Sequence, residues 1–194
     1  MLLICAGCGY QACSSCGSNN GELTTITIPL IRGDENGDLR TSLAKKVAHT
    51  PGLAYSSKTD TRYRLDVKIL EDASETIGFA WDEDPITGEF IKRLYPNEGR
   101  RKVKASVSLF DSVTEKAVVS PFTVEGVADF DFVNPTALKN IEFENVQGNK
   151  QTVLPFSLGQ LDSEEGAKQE SFRPLSDTIA DQIVRALRRA PLKN

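Results

Sequence analysis

The stretch that decides the fold is TTITIPLIRGDENGDLRTSLAKKVAHT, residues 24–50. Apolar side chains first alternate with other residues, at Ile26, Ile28 and Leu30, which is the period of a half-buried strand. After the turn-forming RGDENGD, apolar side chains recur every fourth position, at Leu39, Leu43 and Val47. Asp38 is the predicted N-cap of that helix, and Thr50-Pro51-Gly52 ends it. The domain therefore begins with a strand followed by an amphipathic helix.

The rest of the chain adds three strands and a closing helix. The strands are predicted at YRLDVKIL (63–70), KVKASVSLF (102–110) and VVSPFTVEGVADFDF (118–132). Pro121 and Gly126 indicate an edge position or a bulge in the last one. The helix, RPLSDTIADQIVRALRRA (173–190), repeats apolar residues at Leu175, Ile179, Ile183 and Leu187. We expect an α+β fold, with two helices on one face of a four-stranded, mostly antiparallel sheet.

The opposite face of that sheet is predicted to be polar. It would carry Arg64, Asp66, Lys68, Lys102, Lys104, Ser106 and Ser108. Such a face must meet water or a partner. The segment 133–171 has weak periodicity and no predicted element.

Composition excludes several classes of protein. The chain has 194 residues, of which 39% are hydrophobic and 26% charged, as in soluble globular domains. No apolar run approaches the roughly 18 residues of a membrane-spanning helix, so attachment to a membrane would be covalent or through a partner. The net charge of −4 argues against nucleic-acid binding.

The interior feature with the most information is a basic cluster, KRLYPNEGRRKVK, at residues 92–104. It holds six basic residues against Glu98, a net charge of +5 that leaves −9 for the remainder of the chain. Guanidinium groups suit bidentate contact with phosphate. With Leu94 and Tyr95 on a predicted turn, the cluster could hold a phosphorylated amphiphile. The alternative is a hairpin whose charges are solvated, or paired with the acids of residues 82–89.

No constellation of catalytic residues is found. His49, the single histidine, closes a predicted helix, where a surface or capping role is expected. DEDPITGE (82–89) lacks the ligand spacing of a calcium loop and is interpreted as a hairpin tip. The sequence therefore predicts a non-enzyme with no metal and no cofactor.

All four cysteines fall in the first 16 residues, at Cys5, Cys8, Cys13 and Cys16. Cys13-Ser-Ser-Cys16 has the spacing of a redox motif, but it runs into Gly-Ser-Asn-Asn-Gly, a flexible linker composition and not a helix. A disulfide between Cys13 and Cys16 stays open. Residues 1–22 are therefore interpreted as a tether.

Several of these stretches together resemble the LptE family of lipopolysaccharide-assembly lipoproteins of the outer membrane. They are Cys8-Gly9-Tyr10-Gln11, TITIPLIRGDENGDL, YPNEGRRKVKASVSLFDSVTEKAVVSPFTVEGVADFD and PLSDTIADQIVRAL. The likeness covers most of residues 8–188 and rests on the order of elements. It implies two helices on a four-stranded sheet, seated as a plug in an LptD-type β-barrel of a Gram-negative cell envelope and binding lipopolysaccharide.

Carried over to this chain, the resemblance makes Cys8 the acylated residue, bearing palmitate or a related acyl chain. Ala6-Gly7 supplies the small residues before it, although Cys5 stands where leucine is usual. Residues 1–7 would be the remnant of a lipoprotein signal whose start lies upstream of Met1. Residues 8–22 would be the lipid-anchored tether and residues 23–190 a single domain. Lipid A phosphates are assigned to Arg93, Arg100, Arg101, Lys102 and Lys104.

A second interpretation stays open. Lipoproteins that activate a peptidoglycan synthase, as LpoB-like proteins do, are also small tethered α/β domains without catalysis. They usually carry a much longer linker than the short segment between Cys8 and the first strand. A plug held close to its barrel needs only a short tether, so the tether length favours the LptE-like interpretation.

Overall fold

The computed structural model describes residues 23–58, 61–84, 87–138, 142–152, 163–190 and 192. These residues contain seven strands and three helices. The strands are β1 (Thr24–Thr27), β2 (Leu53–Ser56), β3 (Tyr63–Glu83), β4 (Phe90–Asp111), β5 (Lys116–Asp131), β6 (Glu142–Glu144) and β7 (Lys150–Thr152). The helices are α1 (Asp38–Ala48), α2 (Glu164–Glu170) and α3 (Phe172–Leu187).

The main sheet has five strands in the order β2-β1-β3-β4-β5, and β6 and β7 form a separate hairpin. β1 pairs in parallel with β2 and β3, whereas β3, β4 and β5 pair antiparallel. The α+β class is confirmed, but the prediction of four strands is wrong. The missed strand, β2, has only four residues, which is too short to show a period. It is parallel to β1 because α1 returns the chain to the end of the sheet at which β1 begins.

Helix α1 begins one residue earlier than predicted, because Asp38 is its first residue and not its cap. Gly37 is the N-cap, with a φ of 73° that favours glycine. The capping carboxylate is that of Asp34, which accepts the backbone N–H groups of Leu39 and Arg40 at 3.3 and 2.9 Å. Asp38 lies in the first turn, where its charge complements the helix dipole.

The end of the first strand also differs from its prediction. Pro29 lacks a backbone N–H, and β1 ends at Thr27 before reaching it. Alternation stops there, so Leu30 is 87% exposed and Ile31 is buried in its place.

Helices α1 and α3 lie side by side on one face of the sheet and run in the same direction. Ser42 Oγ donates to Asp177 Oδ1 at 2.7 Å, and one turn further along both helices Lys46 Nζ lies 2.8 Å from Asp181. Their predicted apolar positions are all buried against the sheet, namely Leu39, Leu43, Val47, Leu175, Ile179, Ile183 and Leu187. The two-helix layer is therefore confirmed.

The sheet face beneath these helices supplies the other half of the core. From β4 come Val103, Ala105, Val107 and Leu109, all fully buried. Gly126 of β5 is needed for close approach, because a Cβ there would lie 2.8 Å from Ile179 Cγ1. β5 is an edge strand, and its pairing with β4 shifts beside Pro121, as the sequence predicted.

Helix α2 falls within the segment that carried no prediction. Ser163 caps it by accepting the N–H of Gly166 at 3.2 Å. Its Ala167 packs in a small apolar cluster with Phe130 and Phe132 at the far end of β5.

Strands β3 and β4 contain a bulge and extend beyond the rest of the sheet. Ile69 pairs with Ala105 and Glu71 with Lys104, so Leu70 is an extra residue, a β-bulge. Beyond the end of β5, residues 79–83 and 90–97 continue as a two-stranded ribbon, which we call the arm. The segment 132–138 runs along the arm, with Phe132 N–H donating to Asn97 and the Asn134 side chain donating to Pro96.

Candidate binding surfaces

The sheet face opposite α1 and α3, here called the outer face, carries its charges in rows across three strands. Residues directly opposite in antiparallel strands share a face. Lys104 of β4 lies between Glu71 of β3 and Glu125 of β5. The charge ladder consists of these residues and the next rows, namely Glu71, Glu75, Arg100, Lys102, Lys104, Glu125 and Asp129.

Two cations of the charge ladder are paired. Arg100 donates through Nε and Nη2 to both oxygens of Asp129, at 2.6 and 2.8 Å. This hydrogen bonding, with the guanidinium charge, holds the pKa of Asp129 below its usual range. Lys102 Nζ lies 2.5 Å from Glu75 Oε1, and that contact lowers the pKa of Glu75. The outer face is thus polar but close to charge balance.

Lys104 differs from its two neighbours. It is exposed, and no carboxylate lies within ion-pair distance of its ammonium group among the described residues. Glu71 and Glu125 flank it at longer range. An added anion could therefore bind Lys104 without displacing a carboxylate, whereas at Arg100 and Lys102 it would have to displace one.

Arg101 points to the other side of β4, toward the helices. Its Nε and Nη2 donate to the Asp72 carboxylate at 2.8 and 2.6 Å, and its Nη1 donates to the carbonyl of Lys168 at 2.8 Å. The guanidinium also lies over the Phe172 ring, 4.6 Å from its centroid. With its side chain only 13% exposed, Arg101 ties α2 and α3 to the sheet and has little donor capacity left for a ligand.

Arg93 lies on the arm, far from the charge ladder. Its Nη2 donates to the carbonyl of Thr136 at 2.6 Å, and Nη1 is 3.6 Å from Asp82. The Asp82 side chain is fully buried and also accepts the N–H groups of Leu138 and Glu83 at 3.0 to 3.1 Å. Arg93 and Asp82 thus pin the segment 132–138 to the arm.

The five residues assigned to lipid A phosphates are therefore not gathered at one point. Arg100, Lys102 and Lys104 share the outer face, whereas Arg93 and Arg101 lie elsewhere. Pairing within the protein comes from Asp72, Glu75 and Asp129, and from Asp82 of the 82–89 tip. Leu94 and Tyr95 are strand residues of β4, so the predicted turn there is wrong. The phosphate assignment stays a prediction.

One face of the arm exposes large apolar side chains. Trp81 lies opposite Leu94, and Phe79 lies opposite Pro96 on the same face. Phe90 lies four residues before Leu94 on β4. We call this group the apolar strip (Phe79, Trp81, Phe90 and Leu94), whose members are 52% to 73% exposed. Grouped aromatic exposure of this kind is typical of a contact surface and not of a solvated hairpin.

Sequence reasoning missed the apolar strip, although a signal was present. Ile77, Phe79 and Trp81 alternate with Gly78 and Ala80, the two-residue period of a strand. The sequence predicts a hairpin tip at residues 82–89. This prediction is confirmed, since Asp84 N–H donates to the Glu89 carbonyl and the Asp84 carboxylate accepts the N–H of Thr87.

The remaining predictions concern the tether, the histidine and the absence of metal. Cys8 and the whole tether, residues 1–22, lie outside the described residues. His49 is exposed at the C-cap of α1, with Nδ1 2.6 Å from the Lys45 carbonyl, as expected of a capping histidine. Within the described part of the chain, no group of His, Cys, Asp or Glu is placed to hold a metal ion, and no helix is long and apolar enough to cross a bilayer.

Comparison with known proteins gives similar solved structures. No protein-family model and no curated protein matches the chain. A Caulobacter crescentus protein assigned to the lipoproteins is 13% identical, with a TM-score of 0.47, over 87% of this chain and 90% of its own. A hypothetical protein of Chlamydia trachomatis is 8% identical, with a TM-score of 0.41, over 86% and 96%.

A third similar structure is the rare lipoprotein B of Shewanella oneidensis, 14% identical, with a TM-score of 0.38, over 84% of this chain and 92% of its own. All three are bacterial proteins, and two of them have been assigned to the lipoproteins. With TM-scores below 0.5, none establishes a fold family or a function for this chain.

Proposed function

We propose that this chain is a non-catalytic lipoprotein, anchored by an acyl chain on Cys8 to the periplasmic side of the outer membrane. There it would plug and help assemble an LptD-type β-barrel and bind lipopolysaccharide as it passes to the outer leaflet. The proposal combines the resemblance seen in the sequence with the two surfaces of the folded domain.

The observation that carries the proposal is the outer face. Neither α1 nor α3 covers it, and its cations and carboxylates offset one another along the charge ladder. A face of this kind keeps its hydration and has little net field. The interior of an outer-membrane barrel is polar and wet, so the outer face is suited to lie against it.

The apolar strip supports a partner of large size. Aromatic residues, tryptophan above all, are enriched where protein interfaces gain most of their binding energy. The strip projects beyond the helices on a ribbon that needs no rearrangement to reach a partner. We assign it to direct contact with the barrel protein.

The cations of the charge ladder support the lipopolysaccharide part of the proposal. A phosphate group that approached Lys104 would find Lys102 and Arg100 along the same face. Their partners Glu75 and Asp129 are half-exposed, so exchange of a carboxylate for a phosphate leaves no charge buried. Arg93 and Arg101 would act by holding the arm and the helices in place.

Co-purification from detergent-solubilised outer membranes tests the partner. The wild-type chain should carry a large, heat-resistant barrel protein with it. The double variant Phe79→Ser/Trp81→Ser should lose most of that protein, because the apolar contact is removed. Val113→Ser, which changes an exposed apolar residue at the opposite end of the sheet, is the matched control and should retain it.

Two results would contradict this assignment. Retention of the barrel by the strip variant would show that the contact lies elsewhere. Recovery of a peptidoglycan synthase in place of a barrel would favour the LpoB-like alternative.

Lipopolysaccharide binding is tested separately with purified ligand. Lys104→Glu and Arg100→Glu should each weaken binding several-fold, because they reverse charge on the outer face. Lys58→Glu, which lies outside the charge ladder, should leave affinity unchanged. Equal affinities for all three variants would contradict the phosphate assignment, but they would not bear on the proposed contact with the barrel.

A further inference from the structure

A second charged surface lies where the two long helices end. Because α1 and α3 run in parallel, their C-termini meet at one end of the domain. A hollow of about 260 Å³ between them is lined by Lys46, His49, Arg185 and Arg188, among others. We call the cations of this surface, with the exposed Arg189 next to them, the basic end (Lys46, Arg185, Arg188 and Arg189).

The tether joins the domain at this same end. A second hollow, of about 210 Å³, shares Pro51 and Arg188 with the first and is also lined by Thr24, the first residue of β1. Residues 1–22, including Cys8, precede Leu23, which is exposed. The tether therefore enters the domain at the end that carries the basic end.

Few carboxylates offset these cations. Asp181 pairs with Lys46 at 2.8 Å, and the nearby pair of Arg62 and Asp111 is balanced within itself. Arg185, Arg188 and Arg189 have no ion pair within the described ranges. The hydrogen bond to Asp181 raises the pKa of Lys46, and the charge of Asp177 adds to this, whereas burial and the charge of Arg185 oppose it only in part.

The distribution of charge over the rest of the chain selects one orientation. The whole chain carries −4, so most of its surface is repelled by an anionic layer. The basic end, whose three arginines have no ion pair among the described residues, can approach such a layer favourably.

We propose that the basic end is a docking surface for a bilayer rich in anionic phospholipid, at the end of the domain where the tether enters. This inference rests on the proposed function only in taking the tether to be lipidated. A bilayer is favoured over a soluble anion because the cations spread over two helix ends around shallow hollows and do not converge on one deep site.

The test uses the full chain with Cys8→Ser, so that no acyl chain contributes. Binding is measured by sedimentation with vesicles of phosphatidylcholine containing phosphatidylglycerol, and with phosphatidylcholine alone. We expect binding to the anionic vesicles only, lost at high salt. Arg185→Glu/Arg188→Glu/Arg189→Glu should weaken it about tenfold or more, since each basic residue near an anionic surface contributes measurably.

The matched control is Lys68→Glu/Lys92→Glu/Arg173→Glu, which makes the same change in net charge at exposed sites away from the basic end. It should lose far less binding, and circular dichroism should show both variants folded. Equal losses for the two triple variants, or unchanged binding by the arginine variant, would overturn the proposal. Incorporation of labelled palmitate by the wild-type chain reports on Cys8 separately, so failure of the anchor is distinguishable from failure of the basic end.

Discussion

The strands β3 and β4 pass through two regions that are stabilised in different ways. Near the helices, their inward side chains are fully buried under α1 and α3, and the outer face is free to carry charge. In the arm, neither α1 nor α3 covers them, and the ribbon depends on cross-strand pairs and on the buried carboxylate of Asp82. The same two strands thus serve as a core layer at one end and as a presented surface at the other.

The largest effect should come from the helix-covered region. Leu175→Ala removes a fully buried side chain from α3, and cavities of this kind cost about 2–5 kcal/mol of unfolding free energy. Trp81, the single tryptophan, lies on the arm. The unfolding transitions measured by far-ultraviolet circular dichroism and by Trp81 fluorescence should shift by the same amount, because the arm does not stay folded without the core.

Leu30→Ala is the control for that measurement. Leu30 is almost wholly exposed, so its loss should change the free energy of unfolding by no more than about 0.5 kcal/mol. A comparable loss for both variants would contradict the division into two regions.

A smaller and local effect is expected in the arm. Asp82→Ala leaves the N–H groups of Leu138 and Glu83 without their acceptor and Arg93 without its carboxylate. Unsatisfied buried donors cost about 1–3 kcal/mol. Amide hydrogen exchange at Leu138 should accelerate, and the Trp81 transition should precede that of the whole domain.

Asp82→Asn keeps one acceptor oxygen and should fall between wild type and Asp82→Ala. If Asp82→Ala instead moved both transitions equally, the arm would not be a separate region in the energetic sense.

Two adjacent arginines compare the faces of the sheet within the helix-covered region. Arg101→Gln removes the hydrogen bonds to Asp72 and to the Lys168 carbonyl from a nearly buried site. Hydrogen bonds of charged groups contribute about 1.5–3 kcal/mol. Arg100→Gln removes an exposed pair that solvent screens, and it should change stability little. Equal changes on denaturation with urea would contradict the assignment of the two arginines to different faces.

The smallest effect should appear on acidification. The pKa values of Glu75 and Asp129 are lowered in the folded protein by Lys102 and Arg100. Carboxylates of this kind stabilise the fold at pH above their unfolded pKa of about 4, and the contribution is lost as pH falls through the lower folded value. Glu75→Gln/Asp129→Asn should make the melting temperature less sensitive to pH below about 4.

Salt provides the control for that titration. Because these pairs are exposed, high ionic strength should reduce the difference between the double variant and wild type. If salt did not reduce this difference in melting temperature, the two ion pairs would be less exposed to solvent than the structure shows.

The elements with a long, regular period could be predicted from sequence. The apolar positions of α1, α3 and the inner half of β4 were all found because they repeat every four or every two residues and are buried. β2 was missed because Leu53–Ser56 is too short to show a period. α2 was missed because only Ala167 among its residues is buried.

The candidate surfaces were harder to predict, for a different reason. Lys102 and Lys104 were placed on the outer face correctly, but the carboxylates beside them, Glu75, Glu71 and Glu125, come from other strands. Register across strands depends on bulges, which a count along one strand does not show. The dense run of positive charge therefore overstated how many cations are available to a ligand.

The bulge at Leu70 has a consequence for chain length. Without Leu70, Glu71 and Asp72 could still face Lys104 and Val103, their present partners. Deletion of Ser74 would instead move each following residue to the opposite face of the sheet. This reversal would continue up to the next shift in pairing, near Ile77. Homologues that are one residue shorter in β3 should therefore carry their deletion at Leu70, and an alignment that places the gap elsewhere will exchange the two faces of the sheet.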